Sequence, residues 1–266
     1  MDPMIDQALS NGDIRSFYDD LAPDYDAMTS FEQRFVRDRP FFRVLVENHR
    51  IKRALDAGCG TGFHSFLLAK LGVDMTAVDV SPAMVAKVKE HATVLDLNVK
   101  AIASNFQTTP EKLDGGFDAV FCMGNTLAHI LSQGEMQNTL TTFSSLVHEQ
   151  GILFAQVVNF RKILREKKKI QSVKEADDKI FVRSYEYCKD WIEFNLLTLT
   201  RKNGNLTDSM RSIRLRPWTV GELQETLAAA GFSRTTFYGG INMETFSEEH
   251  SKDIVILASR SPLHPF

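Results

Sequence analysis

The chain has no run of eighteen apolar residues, so no segment is long enough to cross a bilayer as a helix. Cysteine is scarce: Cys59, Cys122 and Cys188 lie far apart and form no C-x-x-C pair, which argues against a zinc site or a disulfide framework. Neither sign of charge dominates. With 31 Lys and Arg against 34 Asp and Glu, the net charge is -3 and the pI about 6.2, so there is no global footprint for nucleic acid. One dense basic run exists, from Arg161 to Lys169. It reads as a solvated helix face, with contact to an anionic surface as the alternative. The first residues, Met-Asp-Pro-Met-Ile-Asp-Gln, are acidic and carry no apolar signal region, so a cytoplasmic protein without a membrane partner is expected. Internal repeats and low-complexity tracts are absent.

What remains is an ordinary globular composition. The 266 residues are 43% apolar, enough for one large domain or a domain with an inserted lid. Residues 12–50 read as helical, broken by Pro23 and Pro40. Then strands and helices alternate. Strands are expected at 53–56, 74–80, 99–103, 117–123 and 152–158. Helices are expected at 64–71, from Pro82 to about His91 behind an N-cap at Ser81, and at 133–149. This alternation implies a doubly wound, mainly parallel α/β sheet. Between 161 and 216 the pattern changes to three antiparallel strands, 179–188, 192–201 and 209–215, with Asn203-Gly204-Asn205 as a hairpin turn. The α/β pattern resumes with a helix at 219–230 and strands at 234–238 and 253–259. The expected organisation is therefore helices plus α/β core over 1–160, an antiparallel β lid over 161–216, and completion of the core over 217–266.

The most informative stretch is Asp56-Ala57-Gly58-Cys59-Gly60-Thr61-Gly62, behind the first strand. Open α/β sheets bind ligands beyond the carboxyl ends of their strands. Glycine there lets a ligand touch the main chain. The spacing is G-x-G-x-G and not the G-x-G-x-x-G of a dinucleotide fingerprint. Asp79 ends the second strand, and a carboxylate, with acceptor sites only, suits a ribose diol. Met84 lies one turn into the next helix, where it packs on a base or fills the core. Asn105 and Phe106 follow the third strand and offer a base edge two hydrogen-bonding groups and a stacking ring.

On these residues, 50–160 resembles the class I S-adenosylmethionine-dependent methyltransferases. The glycine run matches that family's first motif, Val78-Asp79 its second, and Asn105-Phe106 its adenine-contacting pair. The resemblance implies a seven-stranded Rossmann-like sheet with an antiparallel last strand. It implies S-adenosyl-L-methionine as cofactor and S-adenosyl-L-homocysteine as product. Carried over by position, the cofactor residues are Tyr25, Arg34, Ala57, Gly58, Cys59, Gly60, Asp79, Val80, Met84, Asn105, Phe106 and Met123. His64 stands beside them, at the cofactor or at the start of a helix.

A narrower resemblance begins at the fourth strand. Gly124-Asn125-Thr126-Leu127-Ala128-His129 looks like the run between cofactor and acceptor in the glycine N-methyltransferase branch. It implies catalytic roles for Asn125, Thr126 and His129, with His129 either a general base or a structural residue. Substrate contacts are expected from Tyr18, Asn125, Arg161, Arg183, Tyr185 and Arg216. Phe181, Arg183, Tyr185 and Tyr187 share one strand face, and Arg214 and Arg216 another. Turned inward they make an aromatic, cationic pocket for a small acid or amino acid, and turned outward a solvated sheet face. The branch's carboxylate-clamping arginine at the end of the fifth strand is replaced here by Val158. A buried carboxylate left unpaired costs about 3–5 kcal/mol, so glycine itself is a doubtful acceptor unless another arginine substitutes.

The expected activity is methyl transfer to a small-molecule acceptor, an amine or amino acid nitrogen. O- or S-methylation and a non-catalytic cofactor-binding role are the alternatives. A dinucleotide-dependent oxidoreductase is disfavoured by the early third glycine. No metal and no nucleic-acid partner is expected, and the Asn-Pro-Pro-aromatic run of many nucleic-acid amino methyltransferases is absent after the fourth strand. The antiparallel insertion offers strands that could pair between subunits in a homo-oligomer.

Overall fold

The computed structural model describes residues 14–202 and 204–261. Residues 12 and 13 of the expected helical segment, and Asn203 of the expected hairpin turn, lie outside them. The described residues begin with a helix over 14–21 (α1), followed by a single 3-10 turn at Ala22–Asp24 and α2 (Tyr25–Thr29). Ser30, at φ 57°, ends α2 and begins α3 (Phe31–Asn48). Pro23 sits in the 3-10 turn, where its missing N–H costs nothing. Pro40, by contrast, does not break α3. It lies on the exposed face, so the Val36 carbonyl that loses its partner can turn to water.

The main sheet has seven strands in the order β10-β11-β5-β4-β1-β2-β3. Strands β1 (Arg53–Ala57), β2 (Asp74–Asp79), β3 (Val99–Ala103), β4 (Phe117–Cys122) and β5 (Val147–Val158) run parallel. β11 (Asp253–Ser259) runs antiparallel between β5 and β10 (Arg234–Tyr238). Helices α4 (Phe63–Ala69), α5 (Pro82–Leu95), α6 (Gln133–Leu146) and α8 (Val220–Ala229) complete the layers. Strand alternation sorts the core. Leu55, Val120, Cys122, Leu153 and Ile256 pack beneath α6 and α8, while Ala54, Met75, Phe121, Phe154 and Val255 pack beneath α3 and α4. β5 starts five residues before the expected Ile152, because α6 stops at Leu146 and the strand passes through a register shift against β4. Gly151 sits in that irregular stretch, where a Cβ would stand 2.8 Å from the Val147 Cβ and 2.9 Å from the Phe117 carbonyl oxygen.

After the short helix α7 (Phe160–Glu166) comes a second, four-stranded antiparallel sheet: β6 (Ile170–Ala176), β7 (Lys179–Tyr187), β8 (Ile192–Lys202) and β9 (Asn205–Leu215). β6 was not expected. It is an edge strand whose charged and polar side chains give no apolar run. The inner face of this sheet offers Phe181, Leu196 and Ile213 to Phe17, Leu21 and Met28 of the N-terminal helices, a third apolar cluster apart from the main core. That cluster fixes α1 and α2 over the carboxyl ends of the parallel strands.

One group on β1 is buried at a cost. Asp56 is 1% exposed; Ser65 donates to its Oδ2 at 2.7 Å, while Oδ1 has no partner among the described residues. Burial pushes its pKa up to about 6. A carboxyl whose folded value is raised above about 3.9 loses stability on ionising, so the cost is absent below pH ~4 and complete above pH ~6, of order 2–3 kcal/mol. The Asp56→Asn variant should therefore melt higher than the wild type at pH 7–8, with the difference shrinking towards pH 4, as followed by calorimetry.

Candidate functional site

Behind β1 the chain turns through Gly58 to Gly62. The N–H groups of Gly58 and Cys59 both donate to the Val78 carbonyl, at 2.8 and 3.0 Å, so the turn hangs from the end of β2. Gly58 has φ +77°, and a Cβ there would stand 2.4 Å from the Thr126 Cγ2. At Gly60 a Cβ would come to 3.4 Å from the Tyr25 ring. The turn is thus packed on one side by the β4 exit, which leaves no room for a side chain at Gly58, and on the other by α2, which touches Gly60 at ordinary contact distance while its φ of +54° favours glycine.

Asp79 organises what lies beside the turn. Its Oδ2 accepts from the Gly60 N–H at 2.8 Å and its Oδ1 from the Ser81 N–H at 3.0 Å. It is 7% exposed, and burial raises its pKa while these N–H groups oppose the rise. Each oxygen keeps a further lone pair. Ser81 caps α5 by accepting from the Met84 N–H at 3.0 Å and donates its own hydroxyl to Asp19 at 2.6 Å. Asp19 also accepts from the Ala83 N–H at 3.1 Å, which places a carboxylate of α1 at the positive end of α5. Nothing in the sequence pointed to Asp19 as part of the site, because Ser81 and Ala83 are more than sixty residues away.

These elements enclose a cavity that opens to solvent. Among the expected site residues, Gly58, Gly60, Asp79 and Val80 form one wall, Asn105, Phe106 and Met123 another, and Tyr18, Tyr25, Thr126 and His129 the remainder. Ile14, Ser104, Gln107, Gly124, Ile130, Glu135 and Thr139 also line it and were not expected. Glu135 and Thr139 are one turn apart on α6, the single spacing that could have flagged them. The Asn105 carboxamide oxygen is used locally, accepting from the Thr108 N–H at 2.8 Å and hydroxyl at 2.9 Å, which leaves its NH₂ group as a donor. Phe106 stands edge-on to Phe143 at 5.1 Å.

The Tyr18 hydroxyl meets the His129 Nε2 at 2.8 Å, with the two rings edge to face. Burial drives the His129 pKa down to about 4, so the ring is neutral near pH 7. Its Nδ1 is buried with no partner among the described residues. Burial also raises the Tyr18 hydroxyl well above its ordinary value.

Several expected site residues lie elsewhere. Asn125, at φ 70°, turns its carboxamide oxygen onto the Val158 N–H at 2.9 Å, stapling the β4 exit to the end of β5 instead of lining the cavity. Thr126 does line it, with its hydroxyl donating to the Met123 carbonyl at 2.7 Å. Ala57 is buried at the end of β1, Cys59 within the turn, and Met84 is fully buried in α5. Arg34 lies 4.0 Å over the Phe63 ring, with Asp38 at 4.0 Å, and stands off the cavity. His64 is buried against Phe42 and Phe63. Of the expected substrate arginines, Arg161 is exposed and ion-paired with Glu248 at 3.1 Å. Arg216 donates to Glu222 and to the Leu131 carbonyl and lies 3.8 Å over the Trp218 ring. Both are therefore held by structural partners. Arg183 and Tyr185 do not line the cavity either. Arg183 reaches the Met28 carbonyl at 3.3 Å, and Tyr185 packs on Phe194 with its hydroxyl pushed up to about 12 by burial. Arg214 faces Glu193 and the Trp191 ring at the surface.

A glycine turn beside a buried carboxylate with lone pairs to spare fits a ribose and the chain attached to it. No group of three His, Cys, Asp or Glu that could hold a metal occurs among the described residues. Comparison with known proteins agrees. Residues 54–151 match a model described as a methyltransferase domain. The glycine/sarcosine N-methyltransferase of Aphanothece halophytica is 30% identical over 230 residues, covering 85% of this chain and 82% of that protein. A S-adenosylmethionine-dependent methyltransferase from Clostridium acetobutylicum superposes with a TM-score of 0.77 at 13% identity, over 91% of this chain and 98% of the other. An amino pentose methyltransferase from Micromonospora echinaspora, determined with S-adenosylmethionine bound, superposes at 0.66 and 17% identity over 90% and 95%. At those identities the two structures speak for the fold, and the sequence match speaks for the lineage. With its glycine turn, its buried Asp79 and these relatives, the chain belongs to the class I S-adenosylmethionine-dependent methyltransferases and, within them, resembles the glycine N-methyltransferase branch.

Proposed function

We propose that this methyltransferase acts on a nitrogen of a small amine or amino acid. The observation that carries the reading is the Tyr18–His129 pair facing the cavity, a neutral hydrogen-bonding couple beside Thr126 and the glycine turn. The similar protein from Aphanothece halophytica is named for N-methylation of glycine and sarcosine, which supports nitrogen over oxygen or sulfur.

Bound S-adenosylmethionine supplies an electrophilic methyl carbon on a sulfonium. The chain's residues do the rest. Asp79 would accept from the ribose diol, the glycine turn would offer main-chain contact, and the Asn105 NH₂ group would serve a base edge. Tyr18 and Tyr25 roof the cavity and exclude water. An amine would attack as its free base, forming the N–C bond as the C–S bond breaks with its electron pair on sulfur, and the surplus proton would pass from the product ammonium to solvent as the product leaves. A ring with a pKa near 4 is a poor store for that proton. His129 therefore orients the Tyr18 hydroxyl, whose oxygen accepts from the amine, and adds no positive charge beside the sulfonium.

The acceptor's other end is chosen by charge. Val158 offers none, and Arg161 and Arg216 are held by carboxylates. Arg183 is the lid arginine whose charge acts on both Tyr18 and Tyr25, and it has no carboxylate partner among the described residues. Arg183 lies outside the cavity lining, so an acceptor carboxylate is assigned to it on the condition that the Tyr18–Tyr25 roof moves aside to admit the contact. The second reading, an amine without a carboxylate, is favoured by Val158 alone.

Three measurements test this. Asp79→Ala should weaken S-adenosylhomocysteine binding at least about 100-fold, roughly 2.7 kcal/mol, by calorimetry. A panel of amines, amino acids, hydroxy acids and thiols, read by mass spectrometry, should give methylated nitrogen only. Arg183→Met should raise KM for amino acid acceptors about tenfold or more and leave cofactor affinity unchanged. Methylation of simple amines alone establishes the second reading, and methylated oxygen or sulfur without nitrogen overturns both.

A further inference from the structure

Three elements meet at His91, on α5, outside the cavity. Its Nε2 lies 3.0 Å from the Asp26 Oδ2 of α2, and its Nδ1 lies 3.0 Å from the Thr61 carbonyl oxygen of the glycine turn. The Thr61 hydroxyl closes the triangle by donating to the Asp26 Oδ1 at 2.6 Å. A carbonyl oxygen accepts and never donates, and an ionised carboxylate likewise. A neutral imidazole has one N–H. Both contacts are therefore made as hydrogen bonds only when the ring carries both protons. In the neutral ring, one of them becomes lone pair against lone pair.

The triangle joins two parts that matter for the cofactor. Asp26 follows Tyr25 in α2, and the Tyr25 ring covers Gly60. Thr61 is the next residue of that turn. We propose that the Asp26–His91 ion pair is a proton-dependent latch, holding α2 and Tyr25 down on the glycine turn, so that cofactor affinity falls when the ring gives up its proton. His91 and Asp26 are positioning residues here, and they act through Tyr25 and the turn.

The surroundings favour the charged ring on balance. Around it, α3 and α4 present Phe31 and Phe66, with ring centroids 5.3 and 5.9 Å away. Lys87, one turn back on α5, opposes the charge but is itself paired with Glu90 at 2.7 Å. Asp26 is the carboxylate facing the ring. The hydrogen bond to Asp26 raises the His91 pKa against burial, with the Thr61 carbonyl adding to the rise. A raised histidine contributes fully below its unfolded value, about 6.5, and its contribution is lost as pH climbs through the folded value.

The test is S-adenosylhomocysteine binding by calorimetry from pH 6 to 9, with wild type, His91→Gln and Asp26→Asn compared as ratios so that the ligand's own amino group cancels. Wild-type affinity should fall about tenfold relative to His91→Gln across that range, about 1.4 kcal/mol. The variant should sit near the wild type's high-pH affinity throughout. A merely structural histidine would give parallel profiles, and parallel profiles overturn the latch. Nitrogen NMR of the wild-type ring needs no variant to fold: two ring N–H protons at pH 6, lost only above the ordinary range, are expected, and a single N–H at pH 6 overturns it. The inference rests on the cofactor site and not on the acceptor. Absence of S-adenosylhomocysteine binding at every pH would overturn both, whereas parallel profiles would overturn the latch alone.

Discussion

The buried carboxylate of Asp79 is the constraint on which the site depends. Left without donors at 7% exposure, it would be too costly to keep ionised. The N–H groups of Gly60 and Ser81 meet that need, and in doing so they fix the glycine turn and the start of α5 relative to β2. Ser81 then passes the arrangement on to Asp19 and α1. A single need for hydrogen bonds thus ties together the end of a strand, a turn, a helix start and a segment from the beginning of the chain.

The parallel core was legible because its signals are local. Strand β1, the glycines, Asp79 and the Ser81-Pro82 helix start lie within thirty residues and carry distinct chemistry. The edge strand β6 was not legible, since charged side chains that keep an edge soluble also erase the apolar alternation that reveals a strand. The early start of β5 was hidden by a register shift, which is set by pairing with β4 and not by residues 147–151 themselves.

The site divides along the same line. Gly58, Gly60, Asp79 and Val80, on the turn and at a strand end, line the cavity because backbone geometry fixes their places. Several side chains that must choose among distant partners do not. Asn125 took the β5 backbone, Arg216 took Glu222, and Arg161 took Glu248, each satisfied by a group more than five residues away. The Tyr18–His129 contact spans 111 residues and exists only because the second sheet presses the N-terminal helices onto the first. Residue type and spacing say which chemistry is available, and partners far along the chain decide which of it reaches the cavity.

Gly58 and Thr126 illustrate what such contact means over evolutionary time. Their loops belong to different strands, yet the space a Cβ would take at one is filled by the methyl of the other, 2.4 Å away. Neither position can vary by itself without disturbing the floor of the cavity. Across descendants of this chain, the two should behave as one inherited character, drifting together or not at all, even though sixty-eight positions of sequence separate them.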